Sequence, residues 1–242
     1  MGNEKTTGLK VILFGASGMV GAAVLSECLL EPSVGKVLAI GRRNCGMSHP
    51  KLEELLLPDL FQLEAVQERL KGFNACFFTL GVSAMGLSEA EYAKVNHDLP
   101  LYVARLLLGL NPGMAFCYVS GAGTDSTEKG PVMWARVKGR TENELLRMPF
   151  RPAVMFRLGM LQPLKGFKSK TRLYRVMYGL MGPFLPLLSG LFPGWVTTPK
   201  RLGRAMIRVA RGESVKAILE PKDIHELSLD KAEAQGLANP GS

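Results

Sequence analysis

Apolar positions along this chain fall in short runs separated by stretches of helical period, the alternation that repeated βα units produce. Runs near residues 9–14, 36–41, 52–57, 74–80, 115–120 and 153–158 read as buried strands, and a sheet built from them is parallel and doubly wound, of the α/β class. A helix is expected after Gly86, because Ser88 with Glu91 three residues on makes a capping box before Tyr92, Val95 and Leu99. Pro100 is expected to kink it. Another helix is predicted from Trp134 to Arg147, and Pro149 and Pro152 then lead into the strand at Ala153. There is no internal repeat, and the tail from Ala232 to Ser242 reads as loosely ordered.

The first strand runs into Gly15, Ala16, Ser17, Gly18, Met19, Val20 and Gly21, followed by an apolar helical run. Glycines in a bare pattern say little, since turns use them for backbone reasons. In a strand–turn–helix context they say more. Gly15 can make the tight turn, Gly18 can let a phosphate approach the backbone, and Gly21 can let helix and strand pack closely. Backbone N–H groups and the positive helix end then converge on one point, which suits a pyrophosphate. A dinucleotide site is therefore expected over Gly15, Ser17, Gly18, Met19, Val20 and Gly21.

Charge refines the nucleotide. At the end of the second strand, where an NAD site usually places a carboxylate against the ribose hydroxyls, the chain has Arg42 and Arg43. Guanidiniums cannot accept those protons but match a 2′-phosphate in charge and fork geometry, so NADP is expected ahead of NAD. Asp59 and Leu60, after the third strand, could receive the adenine, although such an Asp serves equally as a helix cap. The fourth strand ends in Leu80, Gly81 and Val82, placing a small-residue turn in the crevice where open sheets bind ligands.

Length and composition fit one α/β domain spanning 1–242 with a substantial core, 47% of the residues being hydrophobic. Cys28, Cys45, Cys76 and Cys117 are widely spaced and read as reduced thiols, which led to the expectation of a cytoplasmic protein. The three histidines, His49, His97 and His225, stand apart, so no metal site is expected. The N-terminal residues lack an apolar signal-peptide core.

With the glycine turn, the arginine pair, the Leu80-Gly81-Val82 turn, the strand Phe116 to Ser120 and the helix MWARVKGRTENEL in place, the chain resembles a Rossmann-fold short-chain dehydrogenase/reductase. It is similar to the atypical branch of NmrA-like and Tat-interactive-protein-like NAD(P)-binding proteins, often labelled epimerase or dehydratase. The resemblance covers residues 9 to 225 and implies an oxidoreductase with a small C-terminal lid. It further implies that Lys138, the lysine of a Tyr-x-x-x-Lys pair, binds the nicotinamide ribose, with Ser120 lining the cofactor. Two positions depart from the pattern. Trp134 stands where the tyrosine belongs, and an indole N–H does not titrate usefully. Ala122 stands where the catalytic serine belongs. Lys138, Ser120 and Trp134 are the expected reaction-site residues; Tyr92, Tyr118, Tyr174 and Tyr178 remain open as alternative phenols. Asn96 is expected near the lysine, and Arg157 is expected to support the turn after the sixth strand. The departures leave a non-catalytic, NADPH-binding regulator as the rival reading.

Thirteen of the thirty Lys and Arg residues lie between 145 and 212, a stretch without Asp or Glu that accounts for the whole positive excess. Residues 176–196 are uncharged, but Pro183, Pro186 and Pro193 argue against a continuous span. Residues 160–200 are expected to form a substrate lid, which implies an apolar substrate. The flanking cations over 165–211 would suit peripheral contact with an anionic membrane. Nucleic acid is disfavoured because aromatic residues do not interleave with the charges. A homo-oligomer is left open.

Overall fold

The computed structural model describes residues 8–161, 196–214 and 216–229. Seven parallel strands form one sheet in the order β3-β2-β1-β4-β5-β6-β9. These are β1 (Leu9–Phe14), β2 (Val34–Gly41), β3 (Leu52–Leu56), β4 (Ala75–Phe78), β5 (Ala115–Gly121), β6 (Ala153–Leu158) and β9 (Ile218–Leu219). A separate parallel pair joins β7 (Met160–Leu161) to β8 (Val196–Thr197). The six expected strands are present within two residues at each end. The seventh, β9, extends the β6 edge and was not foreseen.

Side-chain alternation explains why the sheet is covered on both faces. In β1, Val11 and Leu13 enter one core with Val24 and Leu25 of α1 (Met19–Leu30), whereas Ile12 and Phe14 enter the other. The first core is closed by α5 (Pro199–Ala210) and α6 (Pro221–Ser228), through Leu202, Met206, Val209 and Ile224. The second is closed by α3 (Leu99–Leu110) and α4 (Met133–Leu146), with Leu101, Val103 and Leu145 buried. Phe14, Phe78, Phe116 and Phe150 form a chain of ring contacts through that second layer.

The helix after Gly86 begins as α2 (Glu89–Ala93), with both bonds of the Ser88–Glu91 capping box formed. A π-helical segment, Lys94–Asp98, links it to α3. Pro100 sits in the first turn of α3, where its missing N–H costs least, and the irregularity lies in the turn before it. The lid expected over 160–200 and the tail from 232 fall largely outside the described residues. Of the basic stretch 165–211, the described part is mainly α5. Its apolar face is in the core and its Arg204 pairs with Glu27. No helix among the described residues is long and apolar enough to cross a membrane.

Candidate functional site

The carboxyl ends of β1, β4 and β5 meet at a crevice floored by glycines. Gly15 has φ +92°, a left-handed value, and a Cβ there would lie 2.8 Å from the Leu80 nitrogen. Gly21 is tighter still: a Cβ would sit 2.1 Å from the Gly15 oxygen and 2.6 Å from Thr79 Oγ1. Thr79 in turn donates to the Phe14 carbonyl at 2.6 Å, pinning the end of β4 to the end of β1. Gly18 is the N-cap of α1. It supplies no capping side chain, and the first helical turn carries no acidic residue. The opening amides of α1 have no carbonyl one turn earlier to receive them, and the helix end is electropositive. Ser17 and Gly18 are exposed there, and the only atom near a Cβ on Gly18 would be the Gly15 oxygen at 3.3 Å. A diphosphate fits this cradle, because its oxygens would take the amides that the protein leaves unmet.

Arg42 and Arg43 follow β2 at the same sheet edge, both exposed. Neither is paired with a carboxylate among the described residues, so both guanidiniums remain available for an anion. Asp59 is exposed and accepts from the Phe61 N–H at 3.0 Å, a local turn bond. Leu60 is 5% exposed and belongs to the core beside Leu63, so its side chain is spent on packing. Leu80 is half-buried, whereas Gly81 and Val82 are exposed on the crevice rim.

Behind Gly81 lies a buried polar cluster. Lys138 Nζ donates to the Tyr118 hydroxyl at 2.9 Å and to the Val119 carbonyl at 3.2 Å, and stands 4.6 Å above the Tyr118 ring centre. The same hydroxyl donates to the Asn96 carbonyl at 2.8 Å, which also accepts from Thr141 at 3.0 Å. Asn96 lies in the π-helical turn, whose altered ladder goes with a carbonyl that takes side-chain donors. Its own amide reaches the rim, with Oδ1 accepting from the Val82 N–H at 3.4 Å. Burial pushes the Lys138 ammonium down from 10.5 to about 7, against the opposing pull of Glu142. Burial raises the Tyr118 phenol, so it stays neutral.

Trp134, one helical turn before Lys138, lays its ring against the Gly121–Gly123 turn, 3.5 Å from where a Gly121 Cβ would be. Trp134, Met133, Ala84 and Leu87 pack together around Tyr92, Ala93 and Val137, and Val82, Met85 and Val132 are exposed apolar neighbours in sequence. The wall beside Lys138 is thus apolar where a hydroxyl pair was the family expectation. Gly139 permits the close fit of α4 on this turn, since a Cβ there would fall 1.8 Å from the Asp125 oxygen.

Ser120 is brought near the site but is engaged elsewhere. Its hydroxyl donates to the fully buried Glu142 carboxylate, which also takes three contacts of 2.6–3.2 Å from Arg157. Arg157 reaches onward to Ser126 at 2.6 Å and Glu220 at 3.1 Å, tying β6 to the turn after β5 and to the start of α6. This is the supporting role expected of Arg157. Sequence reading missed Glu142 and Thr79. Glu142 carried a signal, standing four residues after Lys138 on one helix face; Thr79 carried none. His97, read as isolated, bridges Asp98 and Glu144 at 2.7 and 2.9 Å. Among the described residues no group of three His, Cys, Asp or Glu is arranged to hold a metal ion.

No family model matches the chain. Protein fmp52, mitochondrial, of Aspergillus clavatus is 28% identical over 209 residues, covering 81% of this chain and 85% of that protein. Leucinostatins biosynthesis cluster protein T of Purpureocillium lilacinum is 31% identical over 148 residues, 60% of this chain and 54% of that protein. Among solved structures, a short chain dehydrogenase family protein from Francisella tularensis superposes with a TM-score of 0.62 at 14% identity, covering 88% of this chain and 96% of that one. The Bordetella bronchiseptica enzyme WbmF, solved in complex with NAD+, gives a TM-score of 0.64 at 12% identity, covering 93% and 78%. The fold is therefore the Rossmann-type α/β fold that these solved structures share. The expectation of a cytoplasmic protein is overturned by the fmp52 relatives, which are named mitochondrial. Free thiols report a reducing environment and carry no address; Cys28, Cys76 and Cys117 are simply packed in the core.

Proposed function

We propose that this protein binds NADP(H) across the Gly15–Gly21 turn and acts as an oxidoreductase on a hydrophobic carbonyl compound. The observation that carries the reading is the uncapped, acid-free start of α1 at the same sheet edge as two arginines after β2 that meet no carboxylate among the described residues. Backbone amides of Ser17, Met19, Val20 and Gly21 would take the diphosphate, the Gly18 N–H being held by the Gly15 carbonyl at 2.9 Å, with Arg42 and Arg43 on the 2′-phosphate and Lys138 on the nicotinamide ribose hydroxyls. When bound, the nucleotide supplies or receives the hydride. Trp134 and Met133, packed with Ala84 and Leu87, offer an apolar wall that would favour a poorly hydrated substrate. The names of the fmp52 relatives support a mitochondrial setting.

Calorimetry with NADPH and NADH tests the cofactor. Tighter NADPH binding, with the preference lost in Arg42→Ala/Arg43→Ala, is expected; equal affinity for both would refute the assignment. Turnover is tested with NADPH and hydrophobic quinones, aldehydes and ketones against Lys138→Ala.

A second reading, a non-catalytic NADPH-binding regulator, is favoured by one specific observation: Trp134 and Ala122 remove both hydroxyls that proton transfer would use. Trp134→Tyr separates the two. Turnover that appears only in this variant supports the regulator, and substantial wild-type turnover refutes it.

A further inference from the structure

The polar cluster behind Gly81 contains one member that no family expectation assigns, the Tyr118 phenol. We infer that Tyr118 is a positioning residue for Lys138: its hydroxyl, fixed on the Asn96 carbonyl, receives the lysine and aims its remaining N–H at the crevice. This inference rests on the proposal that Lys138 meets the nucleotide.

The geometry leaves little freedom. An ammonium has three N–H donors. Two are spent on Tyr118 Oη at 2.9 Å and Val119 O at 3.2 Å. The third is left for a ligand, and Nζ lies 3.7 Å from where a Gly81 Cβ would stand, directly behind the rim. The hydroxyl cannot rotate away without giving up its own bond to Asn96, which the π-helical turn presents to it. Tyr118 is fully buried on a central strand, so the anchor is part of the sheet and does not depend on the ligand. Among groups facing Nζ, Glu142 on the same helix is the charged one, and its oxygens are occupied by Ser120 and Arg157 from β5 and β6. Tyr92 from α2 adds only a neutral phenol near Tyr118. By accepting from Nζ at 2.9 Å, the hydroxyl favours the protonated amine, whereas burial opposes it.

Tyr118→Phe isolates that bond, because the ring, its volume and its place under Nζ remain. Lys138 is followed directly by carbon-13 NMR of protein labelled at lysine Cε, its signal assigned by its loss in Lys138→Met. The wild-type amine is expected to titrate near 7. In Tyr118→Phe its midpoint is expected to fall by about one unit, the size of one hydrogen bond to a charged group. NADPH affinity at pH 6 should weaken by about tenfold, a second consequence of the misplaced donor.

Tyr102→Phe removes a phenol hydroxyl that bonds Leu63 and Glu64, outside the Lys138 cluster, and it should leave both readings at wild-type values. An unchanged titration midpoint in Tyr118→Phe, or an equal shift in Tyr102→Phe, overturns the inference. If Tyr118→Phe fails to fold, wild-type protein labelled with carbon-13 at tyrosine Cζ decides it: the Tyr118 signal should move with the Lys138 midpoint, and a signal that stays fixed through that titration overturns the inference. If wild-type protein binds no NADPH, the cofactor reading falls, while the NMR titration still judges the Tyr118 anchor on its own.

Discussion

Gly21→Ala sets two effects against each other with known signs. In an open helix, alanine is favoured over glycine by about 1 kcal/mol, so propensity alone predicts a more stable protein. The structure predicts the reverse. The added carbon would lie 2.1 Å from the Gly15 oxygen, 2.5 Å from the Gly15 carbonyl carbon and 2.6 Å from Thr79 Oγ1. The first two are backbone atoms of a left-handed turn and cannot rotate out of the way. Relief requires α1 to withdraw by more than an ångström from a core that includes Val24, Leu25 and Met206. Overpacking of this kind costs about 1–3 kcal/mol even where side chains can yield, so the net expectation is a loss of about 2 kcal/mol. For a chain of this length that is a fall of about 4–8 °C in Tm, read by circular dichroism. Displacement of α1 also spoils the amide cradle, so NADPH binding should disappear in the same variant. Gly109→Ala is the control: the site is on α3, nothing lies within 4 Å of the new carbon, and Tm should rise slightly. A Gly21→Ala protein with raised Tm and unaltered nucleotide affinity would refute the close-approach argument.

Other outcomes follow from the same geometry. Arg42→Ala/Arg43→Ala should weaken NADPH by about tenfold or more and leave NADH unchanged in calorimetry, since charge-assisted bonds to phosphate are lost and nothing else is. Glu142→Leu takes the buried carboxylate from Arg157, which keeps Glu220 and Ser126, and should cost about 1–3 kcal/mol in urea unfolding, part of it recovered in Glu142→Leu/Arg157→Met. Lys138, lowered to about 7 in the folded protein, binds fewer protons there than in the unfolded chain between pH 7 and pH 10. Stability should accordingly climb from pH 7 to 9 and flatten over that range in Lys138→Met. Above pH 9 it should fall, because the Cys28, Cys76 and Cys117 thiols, raised by burial, ionise only on unfolding.

The strands were legible because a two-face buried sheet forces contiguous apolar runs, and Gly15 to Gly21 were legible because backbone approach leaves glycine as the fitting residue. Ile218–Leu219 escaped notice since two residues carry no periodicity. The π-helical turn at Lys94–Asp98 left only Pro100 as a trace, and the disturbance sits before it. At the site, Lys138 and Trp134 share one face by spacing alone. The bond that removes Ser120 from the crevice joins residues 22 positions apart, a pairing that no local pattern encodes. Tyr118 was one of four candidate phenols, and spacing did not single it out because its partners, Asn96 and Lys138, stand 22 and 20 positions away. Leu60 was read as a ring-packing contact because proximity to a strand end does not reveal which way a side chain turns.

The placement of α5 has a consequence for how the protein is made. Leu202, Ala205, Met206 and Val209 complete the layer over β1 and α1, yet they are translated long after the residues they cover. A ribosome-bound chain that has not yet reached α5 therefore carries an unroofed greasy surface on one side of its sheet. Until α5 emerges, the newborn polypeptide depends on holdases or on speed, and any premature stop before Pro199 should yield an aggregating product.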